Sequence, residues 1–127
     1  MRETLSGIAF DAKFENLYLA DRLTGQILRY PMRADGTVGG PEVMADAIVA
    51  LRSIAVDETG AVLASIDFPI IIRIDRNKQQ RWYFITGSQD PVIGRIAVGR
   101  SALDRGSLYV PTYTGVLRLT LTKGQGH

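Results

Sequence analysis

Apolar residues in this chain come in short runs of four to six, cut off from one another by turn-forming residues. The first three are Gly7-Ile8-Ala9-Phe10, Leu17-Tyr18-Leu19-Ala20 and Ile27-Leu28-Arg29-Tyr30, separated by polar stretches at 11–16 and 21–26. Runs of this length, bounded by Asp, Asn and Gly, predict strands of an antiparallel meander. The pattern recurs twice. Ser53-Ile54-Ala55-Val56, Ala61-Val62-Leu63-Ala64 and Ile70-Ile71-Ile72-Arg73 form the second set, with Asp57-Glu58-Thr59-Gly60 as its hairpin turn. Arg95-Ile96-Ala97-Val98, Ser107-Leu108-Tyr109-Val110 and Val116-Leu117-Arg118-Leu119 form the third.

Three columns give the period. Ile8, Ile54 and Ile96 are 46 and 42 residues apart; Tyr18, Leu63 and Tyr109 are 45 and 46 apart; Arg29, Arg73 and Arg118 are 44 and 45 apart. A period of this size made of short strands is the signature of propeller blades, each a four-stranded sheet. The fold class is therefore all-β, a β-propeller of about three blades. Strands are expected at 7–11, 16–21, 26–31, 42–46, 53–57, 61–66, 70–75, 80–86, 94–98, 107–111 and 115–120, with little or no helix. Glu42-Val43-Met44-Ala45 and Gln80-Arg81-Trp82-Tyr83-Phe84 are the outer strands of the first two blades, and residues 47–51 are a connector.

The blade repeats are placed at about 6–50, 51–92 and 93–122, with a polar tail at 123–127. The third blade then lacks an outer strand. Closed propellers carry four or more blades, so three predict half of a six-bladed ring, completed by a second half or a second copy of the chain.

Composition narrows this picture only slightly. The 127 residues carry 46% hydrophobic side chains and no cysteine, which rules out disulfides and thiolate metal sites. The formal charge of +2 comes from 15 basic residues, 12 of them arginine, spread over every repeat. A nucleic-acid partner would call for a basic stripe, and none is written here. No window reaches the ~20 apolar residues of a membrane span, and Met1-Arg2-Glu3-Thr4 holds no signal-peptide core. The expected location is cytoplasmic if Met1 is the native start.

The repeats, with residues 20–30 (ADRLTGQILRY) and 34–46 (ADGTVGGPEVMAD), resemble the carboxyl-terminal half of the senescence-marker-protein/gluconolactonase family. Val98-Gly99 followed by residues 107–112 is similar to that family's last blade. The resemblance implies a six-bladed propeller with a divalent cation, calcium above all, in its central channel, hydrolysing lactones or related esters. It places oxygen ligands at the start of the innermost strands. There this chain departs from the family pattern: Ser6-Gly7-Ile8 stands for Asn-Gly-Leu, and Arg52-Ser53-Ile54 for Asp-Gly-Met or Asp-Gly-Leu. The metal-ligand positions are thus not kept, and no cofactor is expected from this chain alone.

The channel-facing candidates are Ser6, Arg52, Gly94 and Arg95. Asp67, which follows a second strand near the channel mouth, is the one catalytic candidate. Asp11, Asp57 and Asp75 read as turn caps, and the arginine column Arg29, Arg73 and Arg118 as side chains whose stems pack between blades. Trp82-Tyr83-Phe84 reads as an edge or partner surface. His127 is the sole histidine and lies in the tail, so the sequence writes neither a Ser-His-Asp set nor a histidine metal pair. Two functions follow: a lactonase-type hydrolase, or a non-catalytic propeller module that binds a small molecule or a protein.

Overall fold

The computed structural model describes residues 5–85, 95–99, 106–112 and 115–120. They form eleven strands in three antiparallel sheets and, among the described residues, no helix. The first sheet is β1 (Leu5–Phe10), β2 (Asn16–Asp21), β3 (Gln26–Pro31) and β4 (Glu42–Ala45), paired in chain order. The second is β5 (Leu51–Val56), β6 (Val62–Ile66), β7 (Ile70–Ile74) and β8 (Gln80–Phe84), again in chain order. The third is β9 (Ala97–Val98), β10 (Ser107–Thr112) and β11 (Gly115–Thr120). The expected absence of a fourth strand there falls on residues 121–127, outside the described residues.

Register confirms the repeat columns. Ala9, Tyr18, Arg29 and Glu42 stand opposite one another across the first blade. Ala55, Leu63, Arg73 and Arg81 do so across the second, and Ala97, Tyr109 and Arg118 across the third. Side chains alternate along a strand, so the first and second blades turn this column towards the blade that follows, and the second and third turn the intervening residues towards the blade before.

Both complete blades start earlier than the repeat predicts, at Leu5 and Leu51. In each a bulge, between Leu5 and Gly7 and between Leu51 and Ser53, extends pairing towards the end of the second strand. Residues 46–50 form the connector; Ala47 and Ala50 adopt left-handed φ of 57° and 60°, uncommon for residues with a Cβ. Ile48 is buried there and donates its N–H to the Gly25 carbonyl at 3.0 Å. Gly25 itself has φ +70°, and a Cβ on it would lie 2.5 Å from the Ile48 backbone. Only glycine lets the first blade's turn come so close to the connector.

The core lies between sheets. Tyr18, Ile27, Ile54, Val62, Ile72 and Ile74 pack the first blade on the second; Leu63, Ile71, Tyr83, Ile96, Leu108 and Val110 pack the second on the third. The innermost strands meet side by side. Gly7 approaches Ser53 and Ile54 so closely that a Cβ would sit 3.2 Å from the Ile54 nitrogen. Between the second and third blades, the buried Ser53 hydroxyl accepts from the Ile96 N–H at 3.2 Å and lies 2.6 Å from the Ser65 hydroxyl.

Candidate functional site

The innermost strands all begin at one end of the molecule, and the second strands end there. This brings the turn after β2 and the turn after β6 next to the start of β5. Asp67, the first residue after β6, is gripped from both sides. Arg22 donates to its two carboxylate oxygens at 3.2 and 2.6 Å, and the Arg52 Nε donates to Oδ1 at 2.9 Å. Arg22 also donates to the Leu51 carbonyl at 3.2 Å, and the Asp67 N–H to the Ala50 carbonyl at 3.1 Å. The clamp therefore joins the first blade's turn, the connector and the second blade's inner strand.

Its electrostatics follow from those contacts. The hydrogen bond from Arg22, seconded by that from Arg52, holds the Asp67 carboxyl below the ordinary carboxylate range, and Asp67 in turn raises the Arg22 guanidinium. A carboxylate so stabilised in its charged form is a weak proton acceptor.

Of the other candidates, Ser6 lies on β1 with its hydroxyl oxygen buried and without a hydrogen-bond partner. Arg95 is exposed, next to the Ile96 that bonds to Ser53. Gly94 lies outside the described residues. The structure thus joins Arg52 and Asp67 directly. Arg22 was not among the sequence candidates, yet a signal was present: Arg22 and Asp67 occupy the same place in successive repeats, 45 residues apart, with opposite charge.

A divalent cation such as calcium requires six or more oxygen ligands. Among the described residues this end offers the Ser6 hydroxyl, the buried Asp21 carboxylate, which accepts from the Leu23 N–H at 3.0 Å, and the Asp67 carboxylate already bound by two guanidiniums. Among the described residues no group of three or more His, Cys, Asp or Glu comes together. The described residues alone do not assemble that ligand set.

The remaining candidates serve the blades themselves. Arg29 pairs with Glu42 at 2.9 Å, Arg73 meets Asp57 at 3.5 Å, and Arg118 donates to the Ser107 hydroxyl at 3.0 Å. Asp11, Asp57 and Asp75 each accept two backbone N–H groups of their own turns.

No family model matches this chain, and no curated protein matches it. Solved structures do. A gluconolactonase from Xanthomonas campestris is similar at TM-score 0.70 and 16% identity over 93% of this chain and 38% of its own. Regucalcin from Agrobacterium tumefaciens, a calcium-binding protein, is similar at TM-score 0.66 and 18% identity over 84% of this chain and 37% of its own. A chain of a nidogen/laminin complex is similar at TM-score 0.65 and 22% identity over 93% of this chain and 48% of its own. The fold is thus a β-propeller, and the chain spans less than half the length of each of these neighbours. No helix among the described residues is long and apolar enough to cross a membrane.

Proposed function

We propose that this chain is part of a propeller whose channel mouth recognises a small anion without hydrolysing it, and that a second copy or second half stacks on its open face to complete the ring. One observation carries the reading: Asp67 is bound between Arg22 and Arg52, and the resemblance to the gluconolactonase family places an oxygen ligand at the position of Arg52. Guanidiniums match carboxylate and phosphate geometry and stay charged at any ordinary pH. The fold hosts an enzyme, a calcium-binding protein and a component of a protein complex, so the choice rests on the site.

Calorimetric titration with citrate tests it. The expected result is saturable binding that Arg52→Ala weakens, no saturable calcium binding, and no lactone hydrolysis. Micromolar calcium affinity, or hydrolysis of a lactone abolished by a chelator, would overturn the reading.

Metal-dependent hydrolysis of lactones or related esters is the second reading. It is favoured by the buried, partnerless Ser6 hydroxyl at a position where the resemblance places an oxygen ligand. It requires the carboxylates to come from outside this chain, and Asp67→Asn is the first variant to assay for it.

A further inference from the structure

Two columns of the repeat meet wherever one blade lies on the next. The first is Ile8, Ile54 and Ile96, at the innermost strands. The second is Ile27, Ile71 and Val116, on the third strand of each blade, standing opposite Ala20, Ser65 and Pro111. Between the first and second blades Ile27 and Ile54 are buried in one cluster, and between the second and third Ile71 and Ile96 are buried in another. Each internal gap takes one member of each column. The members left over are Ile8 on the open face of the first blade and Val116 on the open face of the third, and they are 50% and 69% exposed.

Their surroundings repeat the buried contact too. Beside Val116 are Pro111, opposite it, and the pair Tyr109 and Ala97. These are the counterparts of Ala20, Tyr18 and Ala9, which pack between the first two blades. Beside Ile8 is the exposed Phe10, the counterpart of the buried Val56. The two open faces are therefore the two sides of a contact that the chain already makes within itself, and they lie at opposite ends of the run of blades. One copy cannot bring them together, because its described sheets number three and a closed ring holds about four to eight. Six is the one multiple of three in that range.

We infer that the occupant of the open face is a second copy of this chain, seated head to tail. Val116, Pro111 and Tyr109 of each copy lie on Ile8 and Phe10 of the other, and two copies close one ring of six blades. The inference rests on the reading that the open face is stacked, and it fixes one partner and one direction. A head-to-tail contact closes only when the rotation it imposes completes a turn, which two copies of three blades do. Both Asp67 clamps then stand at the same mouth of the channel.

Light scattering on the full chain at micromolar concentration should give the mass of two chains. Val116→Glu, at an exposed site on the third blade, should return it to the mass of one, as Ile8→Glu does from the first. The chain has no cysteine, so cross-linking reads the direction without interference. Ile8→Cys and Val116→Cys variants, refolded together and treated with a short bismaleimide, should give a covalent dimer, while neither variant alone should. Cross-linking of Ile8→Cys with itself would mean that two first blades meet face to face and would overturn the proposal. So would a dimer that Val116→Glu leaves intact, or an open-ended polymer. A monomer that still binds citrate, less tightly with Arg52→Ala, would sink the second copy and leave the anion reading standing; a head-to-tail dimer that binds no citrate would do the reverse.

Discussion

The first and second blades present the same kind of face to the blade before them, and only one is covered. On the second blade Ile54 and Ile72 are 5% and 0% exposed, because the first blade lies on them. On the first, the equivalent Ile8 is 50% exposed, with Phe10 at 39% and Val43 at 42%. The alternation along β1 is as regular as that along β5, so the difference does not lie in the strand's own pattern. Burial here is a property of the neighbour. Covering an isoleucine fully contributes about 1.5–3 kcal/mol, and on the first blade that contribution is still to be made by whatever stacks there.

Breaking the comparison starts with an all-or-none effect. If another blade, from a second copy or a second half, covers the open face, light scattering on the chain alone at micromolar concentration should show self-association. Ile8→Glu combined with Phe10→Glu should abolish it. A monomeric parent would show that the face stands bare in solution. Next in size, Ile54→Ala should cost about 3 kcal/mol in chemical denaturation while Ile8→Ala costs less than about 1, by the spread seen for covered and open sites. Equal costs would mean that both faces are covered.

Gly25→Ala sharpens the contact that seats the first blade on the connector. A Cβ at left-handed φ and 2.5 Å from the Ile48 backbone should destabilise by about 2 kcal/mol, measurable in the same denaturation series.

The smallest effect is electrostatic. Asp67 has a folded-state pKa below its unfolded value of about 3.9, so its stabilisation is present above that value and lost as pH falls through the depressed one. Because Arg22, Arg52 and Asp67 are 45%, 38% and 31% exposed, Asp67→Asn should cost no more than about 1 kcal/mol at neutral pH. The gap between parent and variant thermal midpoints should close as the buffer is taken towards pH 3. A gap that widens on acidification would contradict the clamp.

The blades were readable in the sequence because a meander pairs each strand with the next one along the chain. Tyr18 opposite Arg29 and Leu63 opposite Arg73 are consequences of hairpin turns, and hairpin turns are written locally. The early starts at Leu5 and Leu51 were not readable, since a bulge adds a residue without changing the apolar alternation. Arg52 and Asp67 could each be singled out, but their ion pair depends on how far one blade's turn reaches over the next blade's inner strand.

Pairing each strand with its sequence neighbour also bears on how the molecule is made. Among the described strands loop closures are short and none waits for a partner from far along the chain, so the entropic barrier to forming each sheet is low for an all-β protein. Repeat architectures of this kind can nucleate in one unit and propagate to the next. A ribosome extruding this chain would release the first sheet while the second was still being synthesised. The Ile54 and Ile72 face would then condense on a template already formed, turning the order of the blades along the chain into the order in which they assemble.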